Sequence, residues 1–327
     1  MGAVLELEGV TKSFGEVRAV DELHLDVRRG ATYGLIGPSG AGKTTVIRMI
    51  MSILFPDRGS LTVLGRRSAL EAKDRIGYLP EERGVYRKMR VDAFLAYIAG
   101  LKGVPRRRAL ERATRLLERL GLADSMRKRC EDLSKGMLQR VQFVASIINE
   151  PELLILDEPF SGLDPVSVRV LRELIAEEQQ RGATILFSTH IMAHAEELCE
   201  RIVMIHKGRK VLDEPMAALR RRFDTRKVRF EPLDETADLE PLSRFPGVVR
   251  MVRTGEGCEL ELAENVDAAG IMRNAAAAIA PARIELARLR LEDIFIRLVA
   301  ADGRGLEMSE QALRTHLQGL GNEGVAA

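Results

Sequence analysis

The stretch Gly37-Pro38-Ser39-Gly40-Ala41-Gly42-Lys43-Thr44 spells G-x-x-x-x-G-K-[ST] at every specified position. The pattern has a mechanical meaning. Glycines let backbone N–H groups close around phosphate oxygens, and a helix starting at the end of the loop adds its partial positive charge. Lys43 then reaches the β- and γ-phosphates of a nucleotide, and the Thr44 hydroxyl is a ligand for Mg²⁺. An ordinary glycine-rich corner between a strand and a helix needs neither residue. Farther on, Leu153-Leu154-Ile155-Leu156 runs without interruption into Asp157-Glu158. Core formation does not explain two carboxylates at the tip of a buried strand. They suit a metal-bound phosphate at the carboxyl end of a sheet, where open α/β sheets take their ligands.

These groups need elements to hold them. Ala31 to Ile36 is short and apolar enough for a buried strand, and Thr45 to Ser52 places Val46, Ile47, Ile50 and Met51 at helical spacing. Upstream, Val4 to Glu8 and the set Leu23, Leu25, Val27 alternate as half-buried antiparallel strands do. Between them Phe14, beside Gly15, reads equally as edge packing or as a flat face for a purine. Gly59 to Gly65 reads as a strand and turn, and Arg75 to Leu79 as a strand ending at Pro80-Glu81-Glu82.

The pattern then turns helical from Val91 to Gly121. Ala109, Leu110, Ala113, Leu116, Leu117 and Leu120 share a face, Glu111 and Arg115 are an i,i+4 pair, and Gly121 is a natural C-cap. Residues of about 86–148 are thus expected to be a helical insertion in an α/β framework. Leu133-Ser134-Lys135-Gly136-Met137 opens its last helix, with Val141, Val144, Ala145 and Ile148 on the apolar side. Ser134 and Gly136 stand where free N–H groups can meet an anion. Val166 to Gln180 is a helix stopped by Gly182, Thr184 to Phe187 a buried strand ending in Ser188-Thr189-His190, and Met192 to Glu200 a helix. Arg201 to Ile205 and Arg209 to Leu212 form a hairpin around Lys207-Gly208.

The length, 327 residues, suits about two domains. The charged Arg220 to Arg226 stretch divides them, giving 1–222, 223–300 and a tail at 301–327. The second domain reads as strand Lys227–Phe230, helix Asp238–Phe245, strands Val248–Thr254 and Cys258–Leu262, helix Val266–Ala278 and strand Arg283–Leu286. A split βαβ, ferredoxin-like α+β fold accommodates that order most simply. A closing helix, Leu291 to Ala300, carries Leu291, Ile294, Phe295, Leu298 and Val299 on one side, and Glu307 to Leu317 is a candidate short helix.

Trp is absent and aromatics are 4% of residues, which argues against single-stranded nucleic-acid binding on stacking platforms. A net charge of +2 with both signs intermixed gives no global basic field, so Arg106–Arg108 and Arg220–Arg222 read as solvated faces. His24, His194 and His206 read as surface residues of their elements. Cys130, Cys199 and Cys258 lack metal-ligand spacing and fit a reducing compartment. No apolar run spans a membrane, and the N-terminus, with acidic residues in an alternating pattern, is not a signal peptide. The expected place is the cytosol or the cytosolic face of a membrane.

The glycine loop, Leu133–Met137, Leu153–Glu158, Ser161–Asp164 and His190 occur in one order at workable spacings. Together they resemble the ATP-binding subunits of ABC transporters over about the first 220 residues. The resemblance implies an α/β P-loop NTPase core with an antiparallel β subdomain and a helical insertion. It implies that Phe14 stacks on adenine, and that Gly37 to Thr45, hence Pro38, Ser39, Gly40, Ala41, Gly42, Lys43, Thr44 and Thr45, wrap the phosphates of ATP. Thr44, Glu81 and Asp157 are then Mg²⁺ ligands, Glu158 the base that polarises the attacking water, and His190 the switch that contacts the γ-phosphate. Asp164 lies in the D-loop. Ser134 and Gly136 act in trans, because two such subunits sandwich two ATP molecules head to tail, as a homodimer or a heterodimer.

Two motifs depart from the family's usual residues, at three positions. Glu81 stands where Gln is usual, and Leu133-Ser134-Lys135-Gly136-Met137 replaces Leu-Ser-Gly-Gly-Gln. Both departures are similar to a subgroup of bacterial export ATPases, of the ABC-2, sodium- and drug-export-like kind, that carry a C-terminal domain of this size. The resemblance implies an ATPase that powers export through separate membrane-spanning permease subunits. Two other readings are a soluble ABC ATPase acting on ribosomes or nucleic acid, and an ATP-binding regulatory module without turnover. The first usually shows two cassettes or a long coiled-coil insertion, both lacking here, and the intact Glu158 weighs against the second. No nucleic-acid partner is expected.

Overall fold

The structure, a computed structural model, describes residues 2–82 and 84–301. In chain order the first elements are β1 (Ala3–Phe14), β2 (Val17–Arg28), β3 (Thr32–Ile36), α1 (Lys43–Ile50), β4 (Arg58–Val63) and β5 (Ile76–Leu79). Three helices follow, α2 (Val91–Leu101), α3 (Arg106–Arg119) and α4 (Lys135–Ile147). Then come β6 (Leu153–Asp157), α5 (Pro165–Gln180), β7 (Thr184–Thr189), α6 (Met192–Leu198), β8 (Arg201–His206), β9 (Arg209–Pro215) and α7 (Met216–Arg222). The remaining elements are β10 (Asp224–Pro232), α8 (Glu240–Ser243), β11 (Val248–Thr254), β12 (Gly257–Leu262), α9 (Ala268–Ala278), β13 (Pro281–Arg288) and α10 (Leu291–Ala301).

The chain divides into two compact units. The second is Ala217–Ile294, and the residues from Phe295 return to the first. The first unit holds two sheets. One is antiparallel, in the order β2-β1-β4; its inward positions, among them Leu5, Leu7, Leu23, Leu25 and Val27, are fully buried. The other has the order β5-β6-β7-β3-β8-β9, parallel except for the edge strand β9. Every residue of β3, β6 and β7 is buried, the pattern of strands covered on both faces, which is why they read as unbroken apolar runs.

Register decides what those strands present. Ile36 pairs with Thr189, Asp157 with Ser188, and Leu79 with Leu156. The segments following β5, β6, β7 and β3 therefore leave the sheet side by side at its carboxyl edge.

The helical pattern from Val91 to Gly121 is divided into two helices, because Gly103 takes a positive φ of 77° and Pro105 is the N-cap of α3. Gly121 follows α3 with φ 67°, as a glycine C-cap should. The ion pair on that helix is Arg107–Glu111 at 3.7 Å, in place of the anticipated Glu111–Arg115. Long-range contacts fix the insertion to the core. Arg112 bridges Glu150 and Glu178 at 2.9 and 2.7 Å, and Arg119 grips Glu177 through two bonds.

In the second unit the sheet order β11-β12-β10-β13, all antiparallel, is that of a split βαβ fold. Val228, Phe230, Leu242, Cys258, Leu260, Ile271 and Ala275 form its core. Cross-strand pairs such as Lys227–Glu261 at 2.8 Å cover the outer face. The helix anticipated over Asp238–Phe245 is the single turn α8, consistent with Pro241 and with residues that cap turns before it. In α10 Ile296 is buried while Leu298 is only half-buried, so the apolar face is broader than the sequence pattern suggested. The tail and its candidate helix at Glu307–Leu317 lie outside the described residues.

Candidate active site

The loop from Gly37 to Gly42 joins β3 to α1 and folds tightly because two of its glycines have no alternative. A Cβ on Gly37 would lie 2.2 Å from the Ile205 carbonyl oxygen. Gly42, at φ 108°, would put one 2.4 Å from the Ala19 carbonyl oxygen. The loop closes on itself through a bond from the Ala41 N–H to the Pro38 carbonyl at 3.1 Å. Ser39 and Gly40 are exposed at its crest, Gly37 is buried beneath, and Thr45 is half-buried in the first turn of α1.

Lys43 is nearly covered, at 7% exposure, and its Nζ donates to the carbonyls of Gly37 and Pro38 at 2.8 and 3.1 Å. Burial lowers its pKa, against the opposing pull of Glu158, Asp157 and Glu81. The Thr44 hydroxyl donates to Glu81 Oε2 at 3.3 Å. Glu81 belongs to the segment that follows β5.

Asp157 has no exposure at all. Its Oδ1 accepts from the Ser188 hydroxyl, whereas among the described residues Oδ2 has no hydrogen-bond partner. Burial, and then the fields of Glu81 and Glu158, push its pKa up to about 6 against the opposing effects of the Ser188 and Thr44 hydroxyls. A buried carboxylate oxygen without a donor is costly unless something absent from the polypeptide satisfies it. Together with the Thr44 hydroxyl and Glu81 it offers hard oxygen donors of the kind Mg²⁺ takes. Among the described residues no three His, Cys, Asp or Glu side chains form a metal cage.

The same carboxylate carries a stability prediction. A folded pKa near 6 against an ordinary value of 3.8 means that the ionised group destabilises the fold fully above about pH 6. The penalty vanishes as pH falls below the unfolded value, and it is worth up to about 3 kcal/mol. Asp157→Asn is therefore expected to raise the thermal midpoint of nucleotide-free, metal-free protein by several degrees at pH 8, and by little at pH 4. Melting curves at the two pH values check it.

Glu158 follows at the strand tip with φ 47°, a left-handed conformation that turns its side chain out of the strand's alternation. Its Oε1 accepts from the His190 backbone N–H at 2.8 Å and lies 2.7 Å from the His190 Nδ1. Oε2 accepts from the Thr189 hydroxyl at 3.2 Å. The carboxylate is thus held from two sides by the end of β7, 8% exposed, and its field acts on Lys43. Ser188 and Thr189 orient the two carboxylates, a role that was not assigned from sequence. Their signal was available in adjacent hydroxyls ending an otherwise apolar buried strand.

Among the described residues the remaining candidates make no hydrogen bond to this cluster. Phe14 ends β1, is 49% exposed, and has the Lys12 ammonium over its ring at 5.7 Å. Ser134 caps α4, accepting from the Met137 N–H at 3.3 Å, and Asp164 caps α5 through the Ser167 N–H and hydroxyl at 2.9 and 2.6 Å. The two caps are neighbours, since a Cβ on Gly136 would lie 3.2 Å from the Gly162 carbonyl oxygen. Among the described residues no hydrogen bond joins Phe14, Ser134, Gly136 or Asp164 to the Gly37–Thr44 loop.

Of the three histidines expected on surface faces, His24 is exposed and accepts from the Gly9 N–H at 3.3 Å. The other two pack instead. His194 sits edge-on to Phe160 at 4.9 Å, where burial lowers its pKa, and His206 sits edge-on to Phe295 at 5.6 Å.

A family model described as ABC transporter matches residues 20–161, and one described as ATP-binding protein DrrA1-3-like, C-terminal domain, matches residues 215–299. Similar proteins include the ABC transporter ATP-binding protein YhaQ of Bacillus subtilis, 40% identical over 91% of this chain and 99% of its own. The bacitracin transport ATP-binding protein BcrA of Enterococcus faecalis is 34% identical over 68% of this chain and 72% of its own. A solved structure described as the ATP-binding subunit of an ABC transporter superposes with a TM-score of 0.63 at 33% identity, covering 67% of this chain and 93% of that one.

Proposed function

The chain belongs to the ABC transporter ATP-binding proteins, and on that premise we propose that it is the ATP-hydrolysing subunit of an exporter, working as a dimer beneath membrane-spanning permease subunits. ATP binding and hydrolysis come with the family, as do permease partners. Among the described residues no helix is long and apolar enough to cross a membrane. The export direction draws on the likeness to BcrA and on the DrrA1-3-like domain. The proposed place of work is the cytosolic face of the membrane.

One observation carries the reading. Glu158 is aimed and held by His190 and Thr189 at the same sheet edge as Lys43, Thr44 and the unpartnered Asp157 oxygen. Hydrolysis of a phosphoanhydride requires charge neutralisation, a positioned water and exclusion of solvent, and little covalent chemistry. Residues 37–45 would wrap the phosphates with backbone N–H groups, and Lys43 would leave its two carbonyls for the β- and γ-phosphates. Thr44, Asp157 and Glu81 would hold Mg²⁺, which when bound supplies charge neutralisation at those phosphates. Glu158 would take the proton of the attacking water, and His190 would turn its ring toward the γ-phosphate. Phe14 would offer its exposed face to adenine. Ser134, Gly136 and the Asp164 loop would close the pocket from a second subunit.

Affinity purification of the tagged chain from detergent-solubilised membranes is expected to recover a polytopic protein together with ATPase activity. Recovery with ribosomes alone, or an inert preparation that binds ATP, would displace the exporter reading.

A further inference from the structure

Glu81 and Lys135 are the two charged residues among the three by which this chain departs from the usual loop and signature, and they are opposite in charge. Lys135 is exposed in the first turn of α4 and, among the described residues, has neither an ion pair nor a side-chain hydrogen bond. Its ammonium stands against the positive end of the helix, and no acidic residue occupies that turn. Such a position disfavours a cation unless an external anion meets it. Arg140 brings a second cation back toward the start of the same helix, with its guanidinium on the Gly136 and Leu120 carbonyls.

Glu81 presents the complementary situation. It is exposed and, among the described residues, has no ion pair within 4 Å, while its neighbour Glu82 is held by Arg48 at 2.7 Å. One oxygen accepts from Thr44, and the other remains available. With Asp157 and Glu158 it makes three carboxylates facing one ammonium, Lys43. The face is anionic before any nucleotide arrives.

We propose that Lys135 of one copy of this chain pairs with Glu81 of a second copy across each of the two sites of the closed dimer. The pairing rests on the dimer proposed above. It gives the two charged departures a single cause: a carboxylate at 81 adds repulsion to a site that must accept a polyphosphate, and an ammonium at 135 offsets it at the moment of closure. Glycine at 135 would supply no such charge. Because each group is solvated in the open subunit and desolvated only on closing, the pair favours the closed register in particular.

A double-mutant cycle tests the pair, using the full chain carrying Glu158→Gln in Mg²⁺ and ATP, with the dimer constant read by sedimentation velocity over a concentration series. Lys135→Met and Glu81→Gln are each expected to weaken dimerisation about tenfold, in the range of close interfacial charge pairs. The chain carrying both should be weakened by about the same factor, since the second change removes an interaction already lost. Glu81→Gln keeps an oxygen for Thr44, and binding of a fluorescent ATP analogue to dilute monomer is measured alongside, so that lost nucleotide is not read as lost dimer. Single changes without effect, or losses that multiply to about a hundredfold, overturn the pair and leave the dimer standing. A Glu158→Gln parent that stays monomeric in Mg²⁺ and ATP overturns the dimer itself, and the pair with it.

Discussion

Replacing Lys43 with alanine is expected to weaken ATP binding by at least about a hundredfold and to remove turnover with it. The Nζ is buried and donates to two carbonyls of its own loop, at 2.8 and 3.1 Å. It is also the cation that Glu158, Asp157 and Glu81 act upon. Alanine therefore leaves three carboxylates around a site meant for a polyphosphate, with no fixed positive side chain among them. Hydrogen bonds to charged partners contribute about 1.5–3 kcal/mol each, and the ammonium can make two to the β- and γ-phosphates. Losing about 3 kcal/mol is already a hundredfold. Titration calorimetry with ATP, beside a melting curve, separates the effect from unfolding. Unchanged affinity in a folded variant would detach the Gly37–Thr44 loop from nucleotide binding.

How far the sequence revealed this site depends on the kind of information each part requires. The strands were legible because burial on both faces turns them into apolar runs, as in Leu153–Leu156 and Thr184–Phe187. The loop was legible because glycines stand where a Cβ would collide with a carbonyl oxygen, at Gly37 and Gly42, and a lysine and a hydroxyl open the helix after them. Neighbourhood across the sheet is another matter. That Ile36 pairs with Thr189, and Asp157 with Ser188, is fixed by interstrand register, which no local pattern encodes. The holding of Glu158 by Thr189 and His190, some thirty residues away, followed only once those pairings were known. The errors have the same origin. Arg107, instead of Arg115, meets Glu111, because both options satisfy i,i+4 spacing and rotamers choose between them. His194 has a surface spacing on its short helix, yet Phe160 comes from a distant segment to cover it.

Glu158→Gln is expected to slow hydrolysis at least about a hundredfold while leaving ATP binding intact, so that ATP-bound dimer accumulates. The substitution separates shape from charge at one residue. Glutamine keeps an oxygen for the His190 N–H, now met at 2.8 Å, and its amide can face the Thr189 hydroxyl, which accepts as readily as it donates. The left-handed turn at φ 47° is no harder for glutamine than for glutamate, so the strand tip keeps its form. What disappears is the negative oxygen able to take a proton from water. The phosphate loop, Lys43 and the buried Asp157 oxygen are untouched, and one carboxylate fewer opposes the incoming phosphates. The two variants should thus fail in opposite ways: Lys43→Ala loses ATP before chemistry, and Glu158→Gln holds it for want of chemistry. Single-turnover hydrolysis and sedimentation in Mg²⁺ and ATP measure the two halves. A rate near that of the parent would move the base elsewhere. A monomer that retains ATP would leave the base in place but remove the second subunit, so that Ser134 and Gly136 would have no phosphate to meet.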